Sequence, residues 1–490
     1  MLLAALALAA ATAGDGLPTT APSAVGMSAA RLAAIDRVVR RGITAGGFPG
    51  ASVIVGRKGY AVWQKGFGYL DWTKKSSVSV AESVYDLASL TKVVGTTTAL
   101  MILFDEGKVV LDAPVKSYIP EFAGGHKDSI TVRDLLAHRS GLPASRDLWR
   151  IARNPAEARR AVIDAPLACR PRVCMIYSDL GAITLGLIVE SVTGMGLDEY
   201  LEARVFGPIG MTATSFRPDA SLRSQIAPTE LAPPRGYPLR GEVHDENAYA
   251  LGGVAGHAGM FSTAADLSMF AQMMLNGGEY AGVRIVADST IKLFTAKKVI
   301  SNRALGWAKP DGTGGSGEYL SDAAYGHTGY TGTSLWIDPT RDMFVVLLTN
   351  RVHAAKARRP AKVISDVRAD LADAASAAVT DDPSLAIAMP ASFRADKASG
   401  WNSTSKVRRT KKASTARKST VKKKSSKPAA KKAASKTSAK KPASKTSAKK
   451  PVTKATVKKT ASTSRESPSN AATKKTALLL APDDPLRLVA

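Results

Sequence analysis

Ser89 and Lys92 stand three residues apart in the stretch YDLASLTKVVG, a spacing that places both side chains on one face of a helix. A serine hydroxyl and a lysine amine placed in this way can act together, with the serine attacking a carbonyl carbon. The spacing alone is weak evidence, because it recurs at Ser289/Lys292, Ser403/Lys406, Ser419/Lys422, Ser438/Lys441 and Ser447/Lys450. The sequence around each pair must therefore show whether the pair is catalytic or a chance occurrence of the spacing.

The surroundings of Ser89 distinguish it from the other serines. The last four pairs lie in a segment so rich in Ser and Lys that the pattern is expected there, and Ser289 is typical of a helix N-cap. Ser89 alone begins an apolar helix, whose free N–H groups and positive end favour an oxyanion. Burial would lower the pKa of Lys92, which could then take the serine proton. The alternative is a capping serine and a lysine that extends to solvent.

Two later stretches place polar residues at the ends of predicted elements. Tyr177 and Asp179 directly precede a helix in CMIYSDLGAITLG, whereas His327, Thr328 and Gly329 begin a strand in AYGHTGYTGTSLWIDP. A tyrosine beside a lysine can relay a proton, and a glycine allows the backbone to approach a ligand closely. These stretches favour a catalytic role for Ser89 and Lys92 over a chance occurrence of their spacing.

Four stretches, ASLTK, LLAHRSGLP, YSDLG and GHTGYTG, resemble the serine β-lactamase-related family of the class C type in order and spacing. That family includes penicillin-binding DD-peptidases, esterases and D-aminopeptidases. The resemblance covers about residues 25–385. It implies an α+β fold, in which an antiparallel β-sheet is flanked by helices and joined to a helical lobe, with the site between them.

The resemblance also implies a role for each candidate residue. Ser89 would be the nucleophile that forms an acyl-enzyme, and Lys92 and Tyr177 would share general acid/base catalysis. The backbone N–H groups of Ser89 and Tyr330 would form the oxyanion hole. Further residues would line the site and orient the substrate: His327, Thr328, Gly329 and Asp179. The resemblance implies no cofactor and no metal.

Two positions depart from the family pattern. Asp179 stands where asparagine is common, and its carboxylate would either keep Lys92 protonated or bind a substrate amine. His327 stands where β-lactamases usually have lysine, and a neutral histidine attracts a β-lactam carboxylate more weakly. The histidine form resembles DD-peptidases, D-aminopeptidases and esterases. The pattern therefore predicts acyl transfer and argues against efficient antibiotic hydrolysis.

The stretch GEVHDENAYALGGVAGHAGMFSTA holds further polar residues: His244, Asp245, Glu246, Asn247 and His257. Such a set can imitate a metal site. We expect instead a Gly-rich loop packed near the site, from which Asn247 or His257 reaches a substrate. His138, in LAHRSG, is predicted to be a structural turn histidine. The G-x-S-x-G motif of α/β-hydrolases is absent from the sequence.

Cys169 and Cys174 are the only cysteines of the chain. Export would permit a disulfide that closes a small loop, and the alternative is a pair of small buried thiols. Metal binding is not expected, because two thiols need further ligands.

The N-terminus, MLLAALALAAATAGDG, combines a short apolar run with a small-residue cleavage pattern but lacks a basic n-region. We expect a cleaved signal peptide and a periplasmic or secreted protein. The alternative is a disordered N-terminus on a cytoplasmic protein. No segment is long and apolar enough to predict a transmembrane helix.

Strand patterns lie near both ends of the body and helix patterns lie between them. GASVIVGRKGYAVWQKGFGYLD predicts two strands divided at 57–59, and GTSLWIDPTRDMFVVLLTNR predicts two more joined at 338–340. Helices are predicted from a cap at Ser28, from Ser89 to about Gly107, and over about 360–377. This order predicts an antiparallel sheet assembled from both chain ends, with a helical region inserted.

Positive charge is concentrated near the C-terminus of this 490-residue chain. The formal net charge is +27, and residues 401–475 contain 25 Lys or Arg against one acid, Glu466. The rest is near neutral and long enough to bury a large core. The Lys/Ala/Ser/Pro-rich segment is predicted to be disordered, and it resembles the tails of H1-type linker histones. Residues 402–475 would attract polyanions such as envelope polymer or DNA in a salt-dependent way, unless the tail is merely solvated.

The sequence thus predicts a signal peptide (1–13), a linker (14–24), a hydrolase domain (25–390), a basic tail (396–475) and an unassigned end (476–490). The predicted function is a serine hydrolase acting through an acyl-enzyme on D-amino-acid peptides of cell-wall type or on small esters. Two alternatives stay open: a β-lactamase proper, and a weakly catalytic wall- or polyanion-binding protein that acts through its tail. Asp179 is the residue that most favours the last.

Overall fold

The computed structural model describes residues 16–296, 303–312, 315–353 and 357–402. The strands in these ranges are β1 (Gly50–Arg57), β2 (Tyr60–Gly68), β3 (Tyr85–Asp86), β4 (Ser215–Phe216), β5 (Met260–Ser262), β6 (Glu279–Tyr280), β7 (Val283–Arg284), β8 (Tyr325–Thr328), β9 (Ser334–Asp338) and β10 (Met343–Thr349). The α-helices are α1 (Ala29–Leu32), α2 (Ala34–Thr44), α3 (Thr98–Asp105), α4 (Val132–Leu136), α5 (Leu148–Ile151), α6 (Pro155–Ile163), α7 (Asp179–Thr193), α8 (Leu197–Leu201), α9 (Gly207–Ile209), α10 (Glu246–Ala250), α11 (Ala264–Leu275), α12 (Asp288–Thr295), α13 (Pro360–Ala377) and α14 (Arg394–Lys397).

The main sheet has the strand order β2-β1-β10-β9-β8 and is antiparallel throughout. Its central pair joins the two ends of the described chain, since Ala51 of β1 lies opposite Thr349 of β10. Lys58 and Gly59 turn β1 into β2 with φ values of 50° and 87°, the left-handed conformation that tight hairpin turns require. These features confirm the predicted antiparallel sheet with a helical region inserted between its strands.

Each face of this sheet is buried against a different core. Along β1, Val53 and Val55 belong to a core shared with α2 and α13, whereas Ile54 points into the larger core of the helical lobe. Strand β10 alternates in the same way between Val345 and Val346. Because side chains alternate across a strand, one apolar run serves both cores. Each fully buried side chain of this kind contributes about 1.5–3 kcal/mol.

The predicted helix from Ser89 to Gly107 divides into three parts. A 3₁₀ turn over Ala88–Leu90 is followed by a π-helix over Thr91–Thr97 and then by α3. Gly107, at a φ of 68°, ends this segment as expected. Other short 3₁₀ or π turns in the described residues are Pro22–Val25, Val115–Ser117, Gly125–Ser129, Glu202–Phe206, Ala220–Ser224, Arg351–His353 and Pro383–Leu385.

The folded body extends beyond the predicted limits of 25 and 390. Leu17 is buried, and the carbonyl of Pro18 accepts the Ala61 N–H at 2.9 Å. At the other end Trp401 is 2% exposed, and its indole N–H donates to Asp366 Oδ2 at 2.7 Å. Residues 16–24 and 396–402 therefore pack on the body. The predictions for 1–13, for the basic tail beyond 402 and for 476–490 lie outside the described residues.

In the part of the chain that the structure describes, no single helix combines the length and hydropathy needed to cross a bilayer. Only α7 taken together with Leu197–Ile209, at an angle of 75°, has that length and composition. Most residues of α7 are buried within the helical lobe.

Candidate active site

Ser89 lies on a strained turn between β3 and the π-helix. The preceding residue, Ala88, has a φ of 48°, a conformation that costs a residue with a side chain about 1–2 kcal/mol. Asp86 holds this conformation, because its Oδ1 accepts the Ala88 N–H at 2.8 Å. The turn leaves Ser89 half-buried while Ala88 and Leu90 on either side are buried. Strain of this kind is typical of functional sites.

The amine of Lys92 is surrounded by acceptors. Its Nζ lies 2.9 Å from Ser89 Oγ, 2.7 Å from Asp179 Oδ1 and 3.1 Å from the carbonyl oxygen of His257. The side chain is 4% exposed. Three acceptors match the three N–H bonds of an ammonium group, which has no lone pair to offer.

The pKa of Lys92 differs from the sequence-based expectation. Burial disfavours the charge, but attraction to Tyr177 and Asp179 and hydrogen bonds with both outweigh it and raise the pKa above 10.5. The prediction that burial would lower the pKa of Lys92 is therefore wrong. The other expectation, that an acid at Asp179 keeps Lys92 protonated, agrees with the structure. In the ammonium form that this raised pKa favours, Lys92 has no lone pair to take the proton of Ser89.

Tyr177 lies between two cations and a histidine ring. Its ring centroid is 4.9 Å from Lys92 Nζ and 4.7 Å from Arg303 Cζ, and it stacks on His327 at 5.8 Å. Tyr177 therefore packs against Lys92, the residue whose Nζ contacts Ser89 Oγ.

The start of α7 positions Asp179. Ser178 is the N-cap of this helix, and its Oγ accepts the Gly181 N–H at 3.1 Å. The Asp179 N–H donates to the carbonyl of Ala144 at 2.8 Å, and its carboxylate meets Lys92. Carboxylates are favoured in the first turn of a helix. The structure thus brings Asp179 together with Ser89, Lys92, Tyr177 and His327.

His327 is buried and neutral. Its Nε2 accepts a hydrogen bond from Arg303 Nη1 at 3.0 Å, and its Nδ1 donates to the carbonyl of Thr328 at 2.9 Å. Because arginine only donates and a carbonyl only accepts, the proton of the ring lies on Nδ1. Burial and the nearby charges of Arg303 and Lys92 hold the pKa of His327 well below 6.5. Arg303 is therefore the cation that contacts the GHTGYTG stretch, through His327.

The turn after β8 packs against the turn that carries Ser89. A Cβ atom on Gly329 would come within 2.1 Å of Thr333 Oγ1 and 2.4 Å of the carbonyl oxygen of Leu87. Only glycine fits at this position. The hydroxyls of Thr331 and Thr333 donate to the carbonyls of Asp86 and Leu87, at 2.7 and 2.9 Å, so this turn lies against the segment that leads to Ser89. The role of the Tyr330 N–H in an oxyanion hole stays a prediction. The Tyr330 side chain itself is 62% exposed.

The polar residues of the Gly-rich stretch are bound within the protein. His244 Nε2 lies 2.9 Å from Glu230 Oε1, and His257 Nε2 lies 2.8 Å from Asp245 Oδ1. Asn247 accepts the first backbone N–H of α5 at 2.9 Å. The side chains of Asn247 and His257 therefore brace loops, and His257 meets the site through its carbonyl. Among the described residues, no group of three or more His, Cys, Asp or Glu side chains is arranged to hold a metal ion.

Three residues that shape this site were not predicted from the sequence: Asp86, Arg303 and Arg368. Arg368 Nη2 donates to the carbonyls of Gly329 and Thr333, at 2.7 and 2.8 Å, and so holds the turn after β8. The Asp-x-Ala pattern at Asp86 is a recognisable turn signal. Arg303 lies 24 residues from the His327 ring that it contacts, and Arg368 lies 35 or more residues from the carbonyls that it binds. No local sequence pattern therefore identifies either arginine.

A disulfide joins Cys169 and Cys174, which agrees with one of the two alternatives left open by the sequence. The loop it closes packs on Gly141, whose carbonyl accepts the Cys169 N–H at 3.3 Å. Cys174 stands three residues before Tyr177. The disulfide therefore restrains the segment that leads into the YSDLG stretch.

Comparison with known proteins supports the same relationship. A family model described as Beta-lactamase matches residues 35–369. The Escherichia coli K12 protein named "Putative D-alanyl-D-alanine carboxypeptidase" is 35% identical over 378 residues, covering 69% of this chain and 86% of that protein.

Two solved structures of low sequence identity share the fold. A penicillin-binding protein homolog from Caulobacter crescentus has a TM-score of 0.55 at 21% identity, covering 69% of this chain and 97% of that one. A class C β-lactamase from Rhodobacter sphaeroides has a TM-score of 0.54 at 19% identity, covering 68% and 97%. The family match spans more than half of the chain, and it agrees with the motifs at Ser89, Tyr177 and His327. This chain belongs to the β-lactamase family.

Proposed function

We propose that this protein is a serine hydrolase that forms an acyl-enzyme on Ser89, and that its substrates are D-amino-acid peptides of the cell-wall type. One observation carries the proposal: Ser89 Oγ lies 2.9 Å from the buried Lys92 ammonium, inside a cluster with Tyr177 and Asp179. The name of the E. coli relative supports the substrate class.

In the proposed reaction Ser89 Oγ attacks the substrate carbonyl carbon while its proton passes to the Tyr177 oxygen. The N–H groups of Ser89 and Tyr330 stabilise the oxyanion that forms. Tyr177 then returns the proton to the leaving amine, and the peptide bond breaks to leave an ester on Ser89. Water hydrolyses this ester by the same proton path. Lys92 stays an ammonium group that stabilises charge on Tyr177.

Arg303 supports a substrate with a free carboxylate. Its guanidinium is the cation beside His327 and Tyr177, and buried arginines pair strongly with carboxylates. A carboxypeptidase must hold the C-terminal carboxylate of its substrate near the bond that it cuts. A small ester has no such group, so Arg303 favours the peptide over the ester.

A cavity of about 570 Å³ supports a substrate with a sizeable acyl part. Trp149, Tyr249 and Phe261 line it together with glycines that include Gly259. Gly259 and Phe261 flank Met260, whose carbonyl accepts the Leu87 N–H at 2.9 Å, so the cavity wall is hydrogen-bonded to the segment that precedes Ser89. The volume is that of ordinary small-ligand sites. We propose that it receives the part of the peptide on the acyl side of the cleaved bond.

The test compares wild type, Ser89→Ala and Arg303→Gln on three probes. These are a fluorescent penicillin, a peptide ending in D-Ala-D-Ala and its C-terminal amide. We expect Ser89→Ala to abolish labelling and turnover. Arg303→Gln should raise KM for the free acid by roughly tenfold, about 1.4 kcal/mol, and leave KM for the amide nearly unchanged.

Three results would count against the proposal. Labelling that survives Ser89→Ala would show that Ser89 is not the nucleophile. Equal KM changes for the free acid and the amide would show that Arg303 does not bind the substrate carboxylate. Rapid turnover of a chromogenic cephalosporin with slow peptide cleavage would favour a β-lactamase proper.

We further propose that the protein is exported and that residues 402–475 bind anionic polymer. The disulfide between Cys169 and Cys174 supports export, because such bonds persist in oxidising compartments. The tail proposal rests on its lysine-rich composition. Cell fractionation with thiol alkylation tests the first, and recovery of reduced protein from the cytoplasm would contradict it.

A further inference from the structure

His138 lies in the loop after α4 and is almost fully buried, with 4% of its surface exposed. Its φ is 54°, in the left-handed region that glycine adopts most readily and that histidine, asparagine and aspartate adopt more often than other residues. The sequence predicts only a structural role for His138 in the turn. A turn alone would be served at least as well by glycine, so the choice of histidine needs a further reason.

The contacts of His138 converge on Tyr177. The carbonyl of His138 accepts the Ile176 N–H at 2.9 Å, and its Nδ1 accepts the Ser178 N–H at 3.1 Å. The two rings lie 4.7 Å apart. One residue thus binds the backbone on both sides of Tyr177 and also contacts its ring. His138 restrains the position and the orientation of the phenol together.

The hydrogen-bond pattern requires a neutral imidazole. Nδ1 can accept from Ser178 only if it carries no proton, so the ring proton lies on Nε2. Burial, with Arg303 and Lys92 nearby, holds the pKa of His138 well below 6.5. The acceptor is therefore present across the neutral pH range.

We propose that His138 is a positioning residue for Tyr177, fixing the phenol oxygen between Ser89 and the leaving group. This inference rests on the proposed function, in which Tyr177 carries the proton. A misplaced base slows bond making without weakening the contacts that hold the substrate. His138 therefore acts on the rate of acylation more than on substrate affinity.

Two substitutions separate positioning from turn formation. His138→Asn keeps an acceptor oxygen on Cγ, where His138 has Nδ1, and asparagine tolerates a positive φ. His138→Gly also tolerates the turn but removes the acceptor and the ring. If His138 only shapes the turn, the two variants should behave alike. If it positions Tyr177, only His138→Asn should retain most of the activity.

The experiment measures the first-order acylation rate and the apparent affinity for a fluorescent penicillin, with melting temperatures for each variant. We expect His138→Gly to acylate about 10- to 100-fold more slowly than wild type, with affinity within a few-fold. His138→Asn should recover most of that rate. Added imidazole should partly restore His138→Gly, because the deleted ring leaves a space of its own size.

Should His138→Gly fail to fold, His138→Gln takes its place, because its oxygen is one carbon further from the backbone. Equal acylation rates in His138→Asn and the acceptor-deficient variant would overturn the inference. So would a loss that appears only in affinity. A wild-type protein that takes no label at all would instead refute the proposed function.

Discussion

Asp179 brings a negative charge to a site where Lys92 and Arg303 supply two positive ones. Its carboxylate lies 2.7 Å from Lys92 Nζ and is 25% exposed, so the attraction is only partly screened by water. An asparagine could accept the same hydrogen bond without the charge. The acid therefore favours the ammonium form of Lys92, which agrees with the proposed reaction, in which Tyr177 transfers the proton.

Replacing this charge should move the alkaline limit of activity. Asp179→Asn removes one of the interactions that raise the pKa of Lys92, so that pKa should fall. Since the ammonium form supports catalysis, the alkaline limb of the acylation rate should shift to lower pH. Rates of penicillin labelling between about pH 7 and 11 measure the shift.

Asp288→Asn is the matched control for this variant. Asp288 pairs with Lys292 at 2.5 Å on the exposed surface of α12, where the Ser-x-x-Lys spacing has no catalytic context. We expect this substitution to leave the pH profile unchanged. A changed melting temperature in Asp179→Asn with an unchanged profile would contradict the assigned role.

Local sequence predicts the ends of elements better than the irregularities inside them. The cap at Ser28 is confirmed, because its side chain accepts the Arg31 N–H. The cap expected at Ser289 is wrong by two residues, since Ala287 is the N-cap of α12. The π-helix over Thr91–Thr97 was not predicted. It packs tightly against β5, where a Cβ atom on Gly95 would come within 2.8 Å of Met260 Sδ. Such packing depends on residues far away in the sequence.

The turn after β8 gives a test at the scale of elements. Gly329→Ala places a methyl group against Thr333 Oγ1 and the carbonyl of Leu87. Because Leu87 stands two residues before Ser89, a backbone shift that relieves this clash also displaces Ser89. We expect labelling of Ser89 to slow by at least about 100-fold. Gly181→Ala in α7 is the control, because its new methyl group would meet only atoms at 3.7 Å. Similar labelling rates in the two variants would contradict this account.

The first turn of α11 should make stability depend on pH. Asp266 is buried, and its Oδ2 accepts from the Ala213 N–H and the Thr214 hydroxyl while its Oδ1 has no hydrogen-bond partner. Burial raises the pKa of Asp266 to about 6. The folded protein therefore holds this proton more tightly than the unfolded chain does, and the free energy of unfolding decreases as pH rises from about 4 to 6.

Asp266→Asn removes this titration. The wild-type free energy of unfolding should fall by up to about 3 kcal/mol from pH 4 to pH 7 because of Asp266, and that of the variant should not show this fall. Urea unfolding at several pH values measures the difference. Stability curves that run parallel for the two proteins would show that Asp266 does not titrate in this range.

At the scale of the whole molecule, the order of strands and helices was readable from the sequence, and the family motifs located the main cluster. Periodic apolar runs predicted both hairpins of the main sheet. The motifs brought Ser89, Lys92 and Tyr177 together as expected. The direction of the Lys92 pKa shift could not be predicted from the sequence. Burial lowers this pKa while Tyr177 and Asp179 raise it, and the balance depends on how closely these distant segments approach Lys92.

The C-terminal limit of the body gives a test at this scale. A chain ending after residue 402 should keep its melting temperature and acylation rate and lose low-salt binding to DNA or wall polymer. A chain ending after residue 392 also loses Arg394, which bonds Asp370 and Asp373, and the buried Trp401. We expect it to be less stable by about 3 kcal/mol or more.

Thermal unfolding of the two truncated chains, with a filter-binding assay, checks this prediction. Equal melting temperatures would show that the last helix and Trp401 contribute little to the body. Undiminished polyanion binding by the chain ending after 402 would place the binding surface on the body instead.

The pairing of β1 with β10 has a consequence for how the protein comes into existence. Ribosomes make Ser89 early, but the strands that complete its surroundings, from β8 to Thr349 in β10, are made some 240–260 residues later. Contacts so distant in sequence form slowly and late in folding. A growing chain therefore carries Ser89, the proposed nucleophile, long before it has Tyr330, whose N–H group is proposed for the oxyanion hole. We therefore expect Ser89 to become reactive only after β10 has paired with β1.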